Sequence, residues 1–173
     1  MKYLWILGAS VAVLALLLWM ITKLLPDQVI VVRRTEINAS PAVVFQTVTD
    51  VAGQTRWRKD IKAVRMPASG RSWTEETIQG TVIDFQVLHQ QTNSRFEIEF
   101  ISTQGFCGTW TGIFTPYAQG TMLEITETIA IRNPMVKIIS RIFAVTDHLV
   151  DTYIMELKAA VENTENPIVK PQQ

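Results

Sequence analysis

The sequence predicts an α+β fold: a curved antiparallel sheet of about seven strands around one long C-terminal helix, preceded by a single transmembrane helix. Three observations carry it. The chain opens on an uncharged apolar run, continues as strand-like segments separated by short turn-forming gaps, and closes on a long amphipathic stripe. The expected layout is an anchor over residues 1–25, a domain over 26–162 and a disordered tail over 163–173, which holds two prolines and several polar residues.

The anchor is read from length and flanks. No charge occurs from Tyr3 to Thr22, and Lys2 and Lys23 bracket the run. About twenty residues at 1.5 Å rise span the roughly 30 Å hydrocarbon core. Trp5 and Trp19 stand near its two ends, where amphipathic rings favour the interface. The rival is a cleaved signal peptide, but its apolar region is shorter and needs a small-residue cleavage site. Lys23-Leu24-Leu25-Pro26-Asp27 offers none. Lys2 on one side and Lys23, Arg33 and Arg34 on the other do not separate the two topologies. The ease of retaining a very short basic tail favours an extracytoplasmic domain.

Val29–Ile37 reads as the first strand, rich in β-branched residues. In Asn38-Ala39-Ser40-Pro41, Ser40 can cap free N–H groups and Pro41 suits the first helical position. Val44, Phe45, Val48 and Val51 follow at helical spacing up to Gly53. Six strands are expected next: Ile61–Met66, Ser72–Ile78, Thr81–His89, Arg95–Ser102, Cys107–Pro116 and Thr121–Ile131. Each gap carries turn chemistry: Ala68-Ser69-Gly70, Gln79-Gly80, Gln91-Thr92-Asn93, Gln104-Gly105 and Ala118-Gln119-Gly120. Gaps this short demand antiparallel pairing.

Alternation assigns the faces. Ile83, Phe85 and Val87 share one side; so do Phe96, Ile98 and Phe100; so do Trp110 and Phe114, with Gly108 and Gly112 between and beside them; so do Leu123, Ile125, Glu127 and Ile129. A sheet with one apolar face needs a cover. Asn133-Pro134 opens a helix to about Glu162 whose Val136, Ile139, Ile142, Phe143, Leu149, Tyr153, Leu157 and Val161 form a stripe to supply it.

Composition narrows the chemistry. Sixteen basic and sixteen acidic residues balance, so no nucleic-acid partner is expected. Cys107 is the sole cysteine, which rules out an internal disulfide. With only two histidines besides, no metal site is expected, and no phosphate loop points to a cofactor. Oligomeric state is not readable.

The opening Glu36-Ile37-Asn38-Ala39-Ser40-Pro41-Ala42-Val43-Val44-Phe45, then Asp50, Trp57, Trp73-Thr74-Glu75, Glu127, Asn133-Pro134 and the closing helix resemble the START-like, helix-grip superfamily, in particular its polyketide cyclase/dehydrase and lipid-transport branch. The resemblance covers residues 29 to 162. It implies a cavity between sheet and C-terminal helix that takes lipids or other greasy molecules. The chain lacks a recognisable catalytic set, which places binding ahead of a cyclase or dehydratase reading. A structural adaptor with a filled cavity is the third alternative.

The residues expected to line that cavity are Glu75, Phe85, Phe96, Ile98, Trp110, Phe114, Ile125, Glu127, Ile142, Leu149 and Tyr153. Glu127 stands out because alternation puts a carboxyl on the greasy face. Either it meets a polar end of a ligand, with its acidity weakened by desolvation, or it forms a buried ion pair or is turned outward by a bulge. The same alternatives apply to Glu75. If acid–base chemistry occurred, Glu75, Glu127 or His89 would carry it. Gly108 and Gly112 leave room beside Trp110 for helix side chains or for ligand. The basic residues Arg56, Arg58, Lys59, Lys62 and Arg65 read as solvated charge, with anionic lipid head groups as the alternative.

Overall fold

In the computed structural model, every short gap between the six later strands closes an antiparallel hairpin. The structure describes residues 26–68, 70–131, 136, 138 and 145–165, together with ten positions between residues 3 and 20. Those ten are helical with exposed side chains. Most of the expected anchor lies outside the described residues. Among the described residues, no helix is long and apolar enough to cross a membrane. The anchor therefore stands on the sequence alone.

The strands are β1 (Gln28–Ile37), β2 (Ile61–Arg65), β3 (Ser72–Thr77), β4 (Val82–Gln91), β5 (Arg95–Ser102), β6 (Phe106–Tyr117) and β7 (Gly120–Ile131). They form one sheet in the order β1-β7-β6-β5-β4-β3-β2. The first strand pairs antiparallel with the last, Val31 opposite Glu127. Gly80 and Gly105 turn two hairpins at positive φ (82° and 83°), a backbone region closed to most side chains. The last hairpin departs from that rule. Ala118 takes the positive φ of 45°, while Gly120 is required by close approach, since a Cβ there would strike the Ile37 carbonyl.

Helix α1 (Pro41–Thr49) begins as expected: the Ser40 hydroxyl accepts from the Val43 N–H and Pro41 occupies the first turn. A short 3₁₀ turn, Val51–Arg56, follows, capped by Asp50, which accepts from the Gly53 N–H at 3.1 Å and pairs with Arg56 at 2.7 Å. Helix α2 (Val145–Glu165) closes the chain, three residues beyond the expected end at Glu162. Its buried line is Val150, Leu157 and Val161.

Leu149 is a correction. The sequence pattern puts it on the buried stripe, yet it is 52% exposed. At about 100° per residue it stands about 90° from the line through Val150 and Leu157. On the opposite flank Arg33 of β1 holds Asp147 and Asp151, one turn apart, at 2.6 and 2.8 Å. With that flank turned to β1, Val150, not Leu149, faces the sheet. Ile142 lies outside the described residues.

One end of the sheet's inner face is densely packed. Phe45 of α1 meets Phe114 and Phe96 edge-on at 5.3 and 6.5 Å, over Leu123 and Ile125. The other end is looser: Ile83, Phe85, Phe106 and Trp110 are only partly buried beside Phe100 and Ile129.

Candidate functional site

The site lies where these two regions meet. On β7, Glu127 falls between buried Ile125 and Ile129 on the inner face, with Trp110 opposite on β6 and Val31 opposite on β1. No bulge interrupts β7 there, so alternation carries its carboxyl inward. It makes no hydrogen bond among the described residues. Burial pushes its pKa up to about 7 and so weakens it as an acid, against the opposing pull of the Arg58 guanidinium.

Tyr153 comes from α2. Its ring packs edge-on against Trp57 at 5.4 Å and Trp110 at 6.0 Å, and the Arg58 guanidinium lies 5.7 Å from its centre. The hydroxyl has no hydrogen-bond partner among the described residues. Burial pushes its pKa above the ordinary phenol value, with Arg58 opposing.

Arg58 organises the floor of the site. Nε and Nη2 donate to the two Asp60 oxygens at 3.1 and 2.7 Å, and Nη1 donates to Gln54 at 2.7 Å and to Glu75 at 3.2 Å. Glu75, only 1% exposed, also accepts from the Trp73 indole N–H at 2.9 Å. Burial opposes the Arg58 charge, but Glu75 and then Asp60 outweigh it and hold the guanidinium protonated. Next to this cluster Trp73 stacks on Phe85 at 5.0 Å, nearly parallel. The Lys59 N–H donates to the buried Glu156 of α2 at 3.2 Å, which ties the loop carrying Arg58 to the helix carrying Tyr153.

The expected lining residues therefore separate by depth. Phe85, Trp110, Glu127 and Tyr153 border the looser region. Phe96, Ile98, Phe114 and Ile125 share its face but are packed into the solid core. Glu75 is a buried ion-pair partner and hydrogen-bond acceptor, the second of the alternatives open to it. The room expected beside Trp110 is filled from within: its own indole lies over Gly112, and Phe100 over Gly108. His89 is exposed, because a register shift after Val87 takes it out of phase. Arg58 is the residue that composition concealed. It belongs to the basic group read as solvated charge, yet it turns inward, while Arg56 pairs with Asp50 and Lys62 with Glu76 at 2.5 Å. Trp57 before it and Asp60 after it are the sequence signal of a partly buried, paired arginine.

A groove of about 280 Å³ lies elsewhere, over β3, β4 and β5. The side chains of Ser72, Thr74, Asp84, Gln86, Glu99 and Ile101 on its walls alternate away from Trp73, Phe85 and Phe100, which puts it on the outer face. It is an open depression of mixed lining, and the groups without a partner among the described residues are inside. The interior is the stronger site on chemical grounds.

The model of one protein family, polyketide cyclase / dehydrase and lipid transport, matches residues 28–150. The chain belongs to that family. Its fold is START-like, as comparison with solved structures shows. A START superfamily protein from Mycobacterium smegmatis matches with a TM-score of 0.64 at 18% identity, covering 78% of this chain and 98% of that one. A protein from Mesorhizobium loti matches at 0.63 and 18%, covering 79% and 98%. The di-domain ARO/CYC StfQ from the steffimycin biosynthetic pathway matches at 0.64 and 10%, covering 80% of this chain and 52% of that one. At these identities the likeness is one of fold. No curated protein matches the sequence.

Proposed function

We propose that the domain binds an amphiphilic small molecule, such as a lipid, in the interior between sheet and C-terminal helix. The observation that carries this reading is a pair of inward polar groups with no hydrogen-bond partner among the described residues: the Glu127 carboxyl and the Tyr153 hydroxyl, near Trp110 and Trp57. Buried polar atoms are paired in most proteins, and leaving one unpaired costs roughly 1–3 kcal/mol. A guest whose polar end meets both removes that cost. Its apolar body would lie along Phe85, Phe100, Phe106 and Ile129, gaining about 0.8 kcal/mol for each buried CH₂. The family's name, with its lipid-transport branch, agrees with this reading.

The uncharged run from Tyr3 to Thr22 extends the reading to a membrane. It would tether the domain at a bilayer, on the extracytoplasmic side by the short basic tail, and raise the local concentration of a lipid guest. The test is native mass spectrometry of the full chain released gently from host membranes. The expected spectrum contains a species heavier than the chain by one small molecule, lost in Trp110→Ala. A spectrum of bare chain alone, under conditions that retain lipid on a control protein, opposes the reading.

One observation favours a second reading, acid–base chemistry on the same guest. A carboxyl group half-ionised near neutral pH is well matched to proton transfer. Glu127→Gln separates the two: abolished turnover of a bound guest with retained binding favours the enzyme.

A further inference from the structure

We propose that this interior site selects a guest whose polar end donates hydrogen bonds and carries no negative charge, a hydroxyl or an ammonium group, and that it rejects carboxylates and phosphates. The inference rests on the binding reading above and names the head group that the site takes.

The cation whose field reaches Glu127 is Arg58. Four of its five N–H groups are already committed, two to Asp60 and one each to Gln54 and Glu75. The ring of Tyr153 covers its face. Two carboxylates thus neutralise and exceed one guanidinium before Glu127 is counted. Arg33, the inner-face cation of β1, is held by Asp147 and Asp151. Among the described residues, no uncommitted cation faces the interior.

An entering carboxylate or phosphate would lose its hydration and find no free positive partner among the described residues. It would also stand near Asp60 and Glu75, and beside Glu127. Burying an unpaired anion is among the costliest events in a protein interior. A hydroxyl meets the opposite situation. It donates to a Glu127 oxygen and accepts from the Tyr153 hydroxyl, so both orphaned groups are satisfied at once. An ammonium group donates to Glu127 and forms an ion pair there, supplying the positive charge that the cluster lacks.

The test is a competition on the full chain in a nonionic detergent, read by native mass spectrometry. Dodecanol, dodecylammonium and dodecanoate, equal in chain length, are supplied together in equal amounts. Adducts of dodecanol, dodecylammonium or both are expected to exceed the dodecanoate adduct by at least about tenfold. In Glu127→Gln, which keeps shape and removes the charge, the dodecylammonium adduct is expected to fall several-fold relative to dodecanol. Dodecanoate bound as well as the others overturns the inference and leaves the binding reading standing. An unchanged ammonium-to-alcohol ratio in the variant overturns the role given to Glu127. No adduct from any of the three overturns the binding reading itself, and the inference falls with it.

Discussion

Replacing Glu127 with Gln should stabilise the ligand-free protein, and only at higher pH. The carboxyl has an ordinary value of 4.5 and is raised to about 7 in the fold by burial. Below the unfolded value it is neutral in both states, and the fold carries no penalty. As pH rises towards and through about 7, the unfolded chain ionises freely while the fold resists, and stability is lost. At about 1.4 kcal/mol for each tenfold change in acidity, the full penalty is roughly 3 kcal/mol. The neutral amide of Gln is never ionised and escapes it. Urea unfolding of wild type and variant, followed by tryptophan fluorescence, should give nearly equal stabilities at about pH 4 and a gap of roughly 2–3 kcal/mol in favour of the variant at about pH 8. Parallel pH profiles would refute the reasoning, since they would mean that Glu127 is solvated or paired in the fold.

Three further outcomes follow from the same geometry. Arg58→Met leaves Glu75 charged and buried without its cation, and should cost about 3–5 kcal/mol in urea unfolding; the double change with Glu75→Met should recover much of that loss. Gly112→Val places a side chain where the Trp110 indole lies, so it should lower stability by about 1–3 kcal/mol and shift the tryptophan emission. Arg33→Ala should release the start of α2 from β1, seen as faster amide exchange around Val150, and high salt on the wild type should have the same effect in weaker form.

The architecture was legible because it rests on period-two alternation and turn residues. The hairpin at Gly105 and the cap at Ser40 follow directly from residue chemistry. Depth was not legible. Phe96 and Phe85 alternate onto the same face, but only the position of Phe45 on α1 decides that Phe96 is sealed in the core and Phe85 is not. A hydrophobic pattern alone does not fix the phase of α2 at Leu149, which stands at the edge of the apolar stripe, and it does not show the pairing of Arg33 with Asp147 and Asp151. Arg58 was lost among neighbouring charges for a related reason: its inward turn depends on Glu75, seventeen residues on. Glu127 could be found from sequence alone, as a carboxyl in phase with Ile125 and Ile129. Its lack of a partner required the surroundings.

The account depends most on Glu127 being a desolvated, unpartnered group that a guest engages. The direct measurement is a carbon-13 NMR titration of the Glu127 side-chain carboxyl, without and with dodecanol. The account predicts a midpoint near 7 in the free protein, displaced on adding the alcohol together with the Tyr153 ring resonances. A midpoint near 4.5, indifferent to the alcohol, would contradict it.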